Sequence, residues 1–136
     1  MNFDHIGVFV KTLAEGRTHF QNLLKIKQIS EEFYDRRIKV AVQFLYDEDG
    51  ICYEIIAPYL EGNPVDHVLL KRKNVLNHVA YRVRDFNRLV EHYRNNNCAQ
   101  LGPPLPAIAF GGRRVAFFLT PLNIIIELIE DKIEQS

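Results

Sequence analysis

Four residues have the types and spacing for divalent-metal chemistry: His5 and Glu54 in the first half of the chain, His78 and Glu127 in the second. Glu54 stands inside Ile51-Cys52-Tyr53-Glu54-Ile55-Ile56, and Glu127 inside Ile124-Ile125-Ile126-Glu127-Leu128-Ile129. A carboxylate in the middle of an apolar strand gives up its hydration, which is unfavourable unless a partner neutralises it. Two neutral imidazoles and two carboxylates around one divalent ion form a set with no net charge, which makes such burial tolerable. Residues two apart on a strand share a face, so Gly7 and Ala80 fall on the ligand side after His5 and His78. Their small side chains leave room for a substrate.

The elements that must position these residues follow from an internal repeat. Phe3-Asp4-His5-Ile6-Gly7-Val8-Phe9-Val10 is echoed by Leu76-Asn77-His78-Val79-Ala80-Tyr81-Arg82-Val83, a shift of 78 − 5 = 73. At the same shift His19-Phe20 falls on His92-Tyr93, and Cys52 to Ile56 falls on Ile125 to Ile129. The turns Asp47-Glu48-Asp49-Gly50 and Thr120-Pro121-Leu122-Asn123 also correspond, ending on the two residue types that best tolerate positive φ.

Each half reads as strand, helix and three strands. The apolar, β-branched run from Phe3 to Val10 predicts a buried strand. Leu13, Phe20, Leu23 and Leu24 recur at helical spacing, with Thr12 as N-cap. Asp85 takes the capping position of the second helix, Phe86 to Asn96, which ends in Asn95-Asn96-Asn97. Extended segments are expected at Lys27 to Tyr34, Lys39 to Tyr46 and Ile51 to Ala57, then near Ala99, at Arg113 to Leu119 and at Ile124 to Ile129. Between the halves, Pro64 opens a short linking helix with a basic end, Lys71-Arg72-Lys73. Leu101-Gly102-Pro103-Pro104-Leu105-Pro106 is expected to be a surface loop, because prolines cannot donate to a regular ladder. Residues beyond Asp131 read as a frayed tail. The reading is therefore one α+β domain, with module 1 at about 1–58, a linker at about 59–74 and module 2 at about 75–136.

Composition narrows the function classes. A chain of 136 residues with 47% apolar and 25% charged residues can bury a core of its own. Seventeen basic and seventeen acidic side chains cancel, and no basic run accompanies an aromatic stripe, which argues against nucleic acid. The start has neither a basic n-region nor an apolar h-region, and no apolar run is long enough to span a bilayer, so a cytoplasmic protein is expected. Cys52 and Cys98 are isolated and make a poor disulfide framework. His19, His92 and His67 read as surface or packing residues. The trio Lys71-Arg72-Lys73 and the pair Arg113-Arg114 read as solvated charge or, alternatively, as a grip on an anionic substrate group.

Paired βαβββ modules, with His5 and His78 on the first strands and Glu54 and Glu127 on the last, resemble the vicinal oxygen chelate superfamily. That group includes glyoxalase I, methylmalonyl-CoA epimerase, extradiol dioxygenases and antibiotic-resistance proteins. The likeness runs from about Phe3 to Glu130. It implies a U-shaped mixed sheet around a metal cleft and a divalent ion, Zn, Ni, Co, Mn or Fe, held by the four residues. Glu54-Ile55-Ile56-Ala57-Pro58, Asn63-Pro64-Val65, Leu76-Asn77-His78-Val79-Ala80 and Arg114-Val115-Ala116-Phe117-Phe118 look most like the epimerase branch. The His/Glu/His/Glu set equally resembles bacterial glyoxalase I. Two departures from the epimerase pattern stand out: Glu54 where glutamine is frequent, and Val40 where a second catalytic glutamate is expected.

The resemblance implies a metal-dependent isomerase or lyase that abstracts a proton next to a metal-bound carbonyl of a thioester or hemithioacetal. Glu127 would be ligand and base, Glu54 ligand and possible second base, and Arg113 and Arg114 substrate contacts. The alternatives are glyoxalase I (lactoylglutathione lyase) proper, an iron-dependent dioxygenase, against which the extra Glu54 argues, and a ligand-sequestering resistance-type protein. Family members commonly pair, so a homodimer with a small-molecule substrate is expected.

Overall fold

The computed structural model describes residues 1–71 and 75–131. The expectations for Arg72, Lys73 and the tail beyond Asp131 lie outside the described residues. The elements, in chain order, are β1 (Asn2–Phe9), α1 (Leu13–Leu23), β2 (Ile26–Ile29), β3 (Phe33–Asp35), β4 (Val40–Asp47), β5 (Cys52–Pro58) and α2 (Pro64–Lys71), then β6 (Leu76–Val83), α3 (Phe86–Asn95), β7 (Ala99–Gln100), β8 (Leu105–Pro106), β9 (Arg114–Leu119) and β10 (Ile125–Glu130). The protein is α+β, with three helices and the ten strands of an open mixed sheet among the described residues. The chain divides into two compact units, His5–Asn77 and Met1–Asp4 with His78–Ser136.

In the first unit the strand order is β2-β4-β5-β1, with β3 adding to β4. β1 runs parallel to β5, while β4 is antiparallel to β2, β3 and β5. Helix α1 is held over the sheet by Leu13, whose neighbours Ala41, Leu45, Ile55 and Ala57 form the buried core on that side. Gly16 permits the close approach, since a Cβ there would stand 3.0 Å from Val10 Cγ1 and 3.2 Å from Ile55 Cδ1. Thr12 caps α1 as its sequence predicts, its hydroxyl accepting the Glu15 N–H at 3.0 Å.

The second unit repeats the plan as β6-β10-β9-β7, with β8 on β9. Its core joins Val83, Phe86, Val90, Ala116, Phe118 and Leu128. Asp85 departs from expectation. It occupies the cap position of α3 without making a side-chain capping bond, and its carboxylate instead meets Arg88 Nε at 3.2 Å. The guanidinium one turn on competes with the N–H groups that the carboxylate would otherwise accept.

Two further segments differ from the sequence expectation. The strand anticipated over Lys27 to Tyr34 breaks into β2 and β3 around Ser30, whose hydroxyl accepts the Phe44 N–H at 2.9 Å in place of a ladder carbonyl. The proline-rich stretch is not all loop, because Leu105 and Pro106 pair with Val115 and Arg114 as β8. At a sheet edge the missing proline donor can face outward without breaking a bond. The two hairpins before β5 and β10 match closely. Gly50 (φ 80°) and Asn123 (φ 62°) take the left-handed position, and their N–H groups donate to Asp47 and Thr120 carbonyls at 3.1 and 2.8 Å.

Candidate metal centre

Each unit builds a buried histidine–glutamate contact in the same way. In the first, Gly7 on β1 and Phe44 on β4 are the register partners of Glu54 on β5, so the carboxylate has a small neighbour on one side and an aromatic one on the other. His5 Nε2 lies 3.2 Å from Glu54 Oε1. The Phe44 ring meets the imidazole edge-on, with centroids 6.0 Å apart at 70°. In the second unit Ala80 on β6 and Phe117 on β9 are the partners of Glu127 on β10. His78 Nε2 lies 3.1 Å from Glu127 Oε1, with the Phe117 ring 5.3 Å from the imidazole at 87°.

All four side chains are buried, with exposures of 0% for His5, 5% for Glu54, 5% for His78 and 2% for Glu127. A carboxylate can only accept, so an imidazole nitrogen facing it at this distance needs either a proton or a cation shared by both lone pairs. Nitrogen and carboxylate donors suit a first-row divalent ion, and each unit supplies one of each. The residues present therefore fit the ion that the sequence pattern implies.

Phe44 and Phe117 were not singled out by sequence, although the signal was there: 117 − 44 = 73, the shift that relates the histidines and the glutamates. Val40, 4% exposed, belongs to the face of β4 that carries Val42 and Phe44, whereas Ala41 and Leu45 pack in the core with Leu13. An apolar side chain thus occupies the position for which the sequence resemblance implies a glutamate.

The two arginines offered as substrate contacts part company. Arg114 lies on the α3 side of β9, its guanidinium 4.7 Å above the Phe86 ring and bonded to Asn87 Oδ1 at 3.1 Å. Glu130 takes both its Nε and its Nη2, at 3.2 and 2.7 Å, and the hydrogen bond to that carboxylate raises the Arg114 pKa further. Arg113, one residue before β9, meets Asp131 at 3.4 Å. His19 and His92 are exposed on their helices beside Phe20 and Tyr93, and His67 is exposed on α2.

No helix among the described residues is long and apolar enough to cross a membrane. Among curated proteins, the chain is 26% identical over 135 residues to the uncharacterized protein YqjC of Bacillus subtilis (strain 168), covering 97% of this chain and 94% of that one. Among solved structures, it is similar to methylmalonyl-CoA epimerase from Mycobacterium tuberculosis, with TM-score 0.78 and 20% identity over 95% of this chain and 87% of that chain. The hypothetical protein BH1468 from Bacillus halodurans C-125 matches with TM-score 0.77 and 21% identity over 99% and 97%. A Streptomyces coelicolor methylmalonyl-CoA epimerase in complex with 2-nitronate-propionyl-CoA matches with TM-score 0.71 and 18% identity over 96% and 97%. At these identities the structures speak to the fold. The family model of the glyoxalase/bleomycin resistance protein/dioxygenase superfamily matches residues 4–117, and to that superfamily this chain belongs.

Proposed function

We propose that the chain is a metal-dependent isomerase or lyase that removes a proton next to the carbonyl of a small thioester or hemithioacetal, with His5, Glu54, His78 and Glu127 holding one divalent ion. The observation that carries this reading is the duplicated buried contact, His5 with Glu54 at 3.2 Å and His78 with Glu127 at 3.1 Å, in a chain of this superfamily. When bound, a divalent ion supplies Lewis-acid stabilisation for the negative charge that develops on the substrate oxygen.

The chain's own residues do the rest. Glu127 Oε1 is the proton acceptor, and Glu54 is the second carboxylate able to return a proton. Phe44 and Phe117 set apolar rings edge-on against the His5 and His78 imidazoles, one in each unit. With valine at position 40, the proton traffic falls to Glu54 and Glu127 alone. Arg113 is the substrate contact of choice over Arg114, whose guanidinium is already committed to Glu130, Asn87 and Phe86. The His/Glu/His/Glu set favours glyoxalase I chemistry as the second reading.

The test is solvent deuterium incorporation into acyl-CoA thioesters and glutathione hemithioacetals by the protein loaded with Zn, Ni, Co, Mn or Fe. Metal-dependent exchange at the carbon next to the carbonyl is expected with one of the two classes. No exchange with any metal and either class would overturn the proposal.

A further inference from the structure

The described arginines divide into two groups. Arg17, Arg82, Arg88, Arg94, Arg113 and Arg114 each stand within ion-pair distance of a carboxylate. Among the described residues Arg36, Arg37 and Arg84 stand in no ion pair, nor does Lys39, and Arg36, Arg37 and Lys39 are exposed on the four-residue tip that joins β3 to β4. The nearest acid in the tip, Asp35, is buried, and its Oδ1 is spent on the N–H groups of Arg37 and Ile38, both at 3.0 Å. The loop after β5, whose Tyr59 and Leu60 N–H groups donate to the Lys39 carbonyl at 3.1 and 3.2 Å, carries the exposed Glu61.

Beside the tip lies a pair of exposed tyrosines. The Tyr34 and Tyr59 rings stand 5.1 Å apart at 60°, and Arg36 Nη1 donates to the Tyr59 hydroxyl at 3.4 Å. Tyr34 is fixed from behind. Its hydroxyl donates to Glu32 Oε1 at 2.5 Å, Arg17 Nη1 donates to Glu32 Oε2 and to Gln43 Oε1 at 2.8 Å each, and Gln43 Nε2 donates to the Ser30 carbonyl at 2.7 Å. An exposed ring held by a relay that ends on a buried glutamine has little rotational freedom left to lose on binding.

Lys39 adds a backbone signal. It holds φ at 68°, a conformation that favours glycine, and the equivalent position before β9 is Gly112 at φ 83°. The second tip is also longer: six residues separate the paired Tyr34 and Ala41, and seven separate Pro106 and Arg114. It carries Ile108, Ala109, Phe110 and two glycines where the first carries Arg36, Arg37 and Lys39. Both copies keep the hairpin but differ in charge: among the described residues the first tip carries three cations outside any ion pair and the second only Arg113, which is paired with Asp131.

We infer that the β3–β4 tip is a binding site for a nucleoside phosphate, with Arg36, Arg37 and Lys39 taking the phosphates and the Tyr34–Tyr59 pair stacking the base. Planar guanidinium forks match phosphate oxygens, and aromatic faces accept any base. The tip closes β4 five residues from Phe44, the register partner of Glu54, which is about 16 Å at roughly 3.3 Å per residue. As the handle of a substrate, the nucleotide rests on the proposed function and selects thioesters of a nucleotide carrier over glutathione adducts. As a binding site, it stands independently of that reading.

The probe is ADP, titrated calorimetrically into metal-free protein, with adenosine and inorganic phosphate as partial ligands. ADP is expected to bind more tightly than either part and to weaken as salt rises. The pair Arg36→Ala with Arg37→Ala should weaken ADP by about tenfold or more, since both guanidinium forks are removed. Lys39→Gly, which suits the backbone, should weaken ADP while leaving the fold intact, and Arg84→Ala, the other described arginine without an ion pair, should change nothing. His78→Ala should bind ADP like the wild type, which separates this site from the metal centre. Absent ADP binding, binding untouched by the arginine pair, or adenosine binding as tightly as ADP would each overturn the proposal.

Discussion

The two halves of the chain are copies that agree in one place and disagree in another. They agree at His5 and His78, at Glu54 and Glu127, at the small partners Gly7 and Ala80, and at Phe44 and Phe117, all at a shift of 73. They disagree at the tips before β4 and β9, where the first copy carries Arg36, Arg37 and Lys39 and the second carries Ile108, Ala109 and Phe110. They disagree again at Val40 and Arg113, the equivalent residues that follow the tips. Duplicated positions that resist divergence mark a task requiring both copies.

The largest effect expected from breaking this comparison is on exchange chemistry. Glu127→Gln keeps the shape of the side chain and removes its basicity, so deuterium incorporation should fall by on the order of 10²–10⁴-fold. Glu54→Gln should fall less if the two carboxylates have unequal duties. Equal losses in the two variants would make the site functionally symmetric.

A smaller contrast lies in the helix caps. Thr12→Ala removes a bond to the Glu15 N–H and should cost about 1 kcal/mol in chemical denaturation. Asp85→Ala removes only an exposed ion pair with Arg88 and should cost at most a few tenths of a kcal/mol. A larger cost at Asp85 than at Thr12 would contradict the capping difference between the copies.

The smallest effect is a pH dependence in the first copy. The Tyr34 hydroxyl bonded to Glu32 is the main cause of a lowered Glu32 pKa and of a raised Tyr34 pKa, measured against 4.5 and 10.0. The signs follow from linkage. Glu32 contributes stability above 4.5 that is lost as pH falls through its lower folded pKa, and Tyr34 contributes stability below 10.0 that is lost as pH rises through its higher one. Tyr34→Phe should move the Glu32 carboxyl titration upward in an NMR pH series. An unmoved titration would remove the hydrogen bond from the account.

Much of this was legible in the residues. Glu54 and Glu127 announce themselves because a charge in an apolar strand needs a reason, and the repeat supplies partners for both. The hairpin turns were readable because Gly50 and Asn123 are the residue types that left-handed backbone favours. Asp85 was not, since whether a cap acid bonds its own helix or the next arginine depends on side-chain competition that spacing does not encode. Arg114 is ambiguous for the same reason: β9 reads Arg-Val-Ala-Phe-Phe-Leu without alternation, and only Phe86, Asn87 and Glu130 decide which face the guanidinium takes. The break between β2 and β3 rests on one serine hydroxyl substituting for a backbone carbonyl. Pro106 was read as a ladder breaker because sequence does not say which strand will be an edge.

The most direct test of the central claim is the metal stoichiometry of the purified chain, measured by elemental analysis and by titration, for the wild type and for His5→Ala and His78→Ala. The account predicts one divalent ion per chain, lost in either variant, with both variants still folded by circular dichroism. Two ions per chain with one surviving each substitution, or none in the wild type, would contradict it.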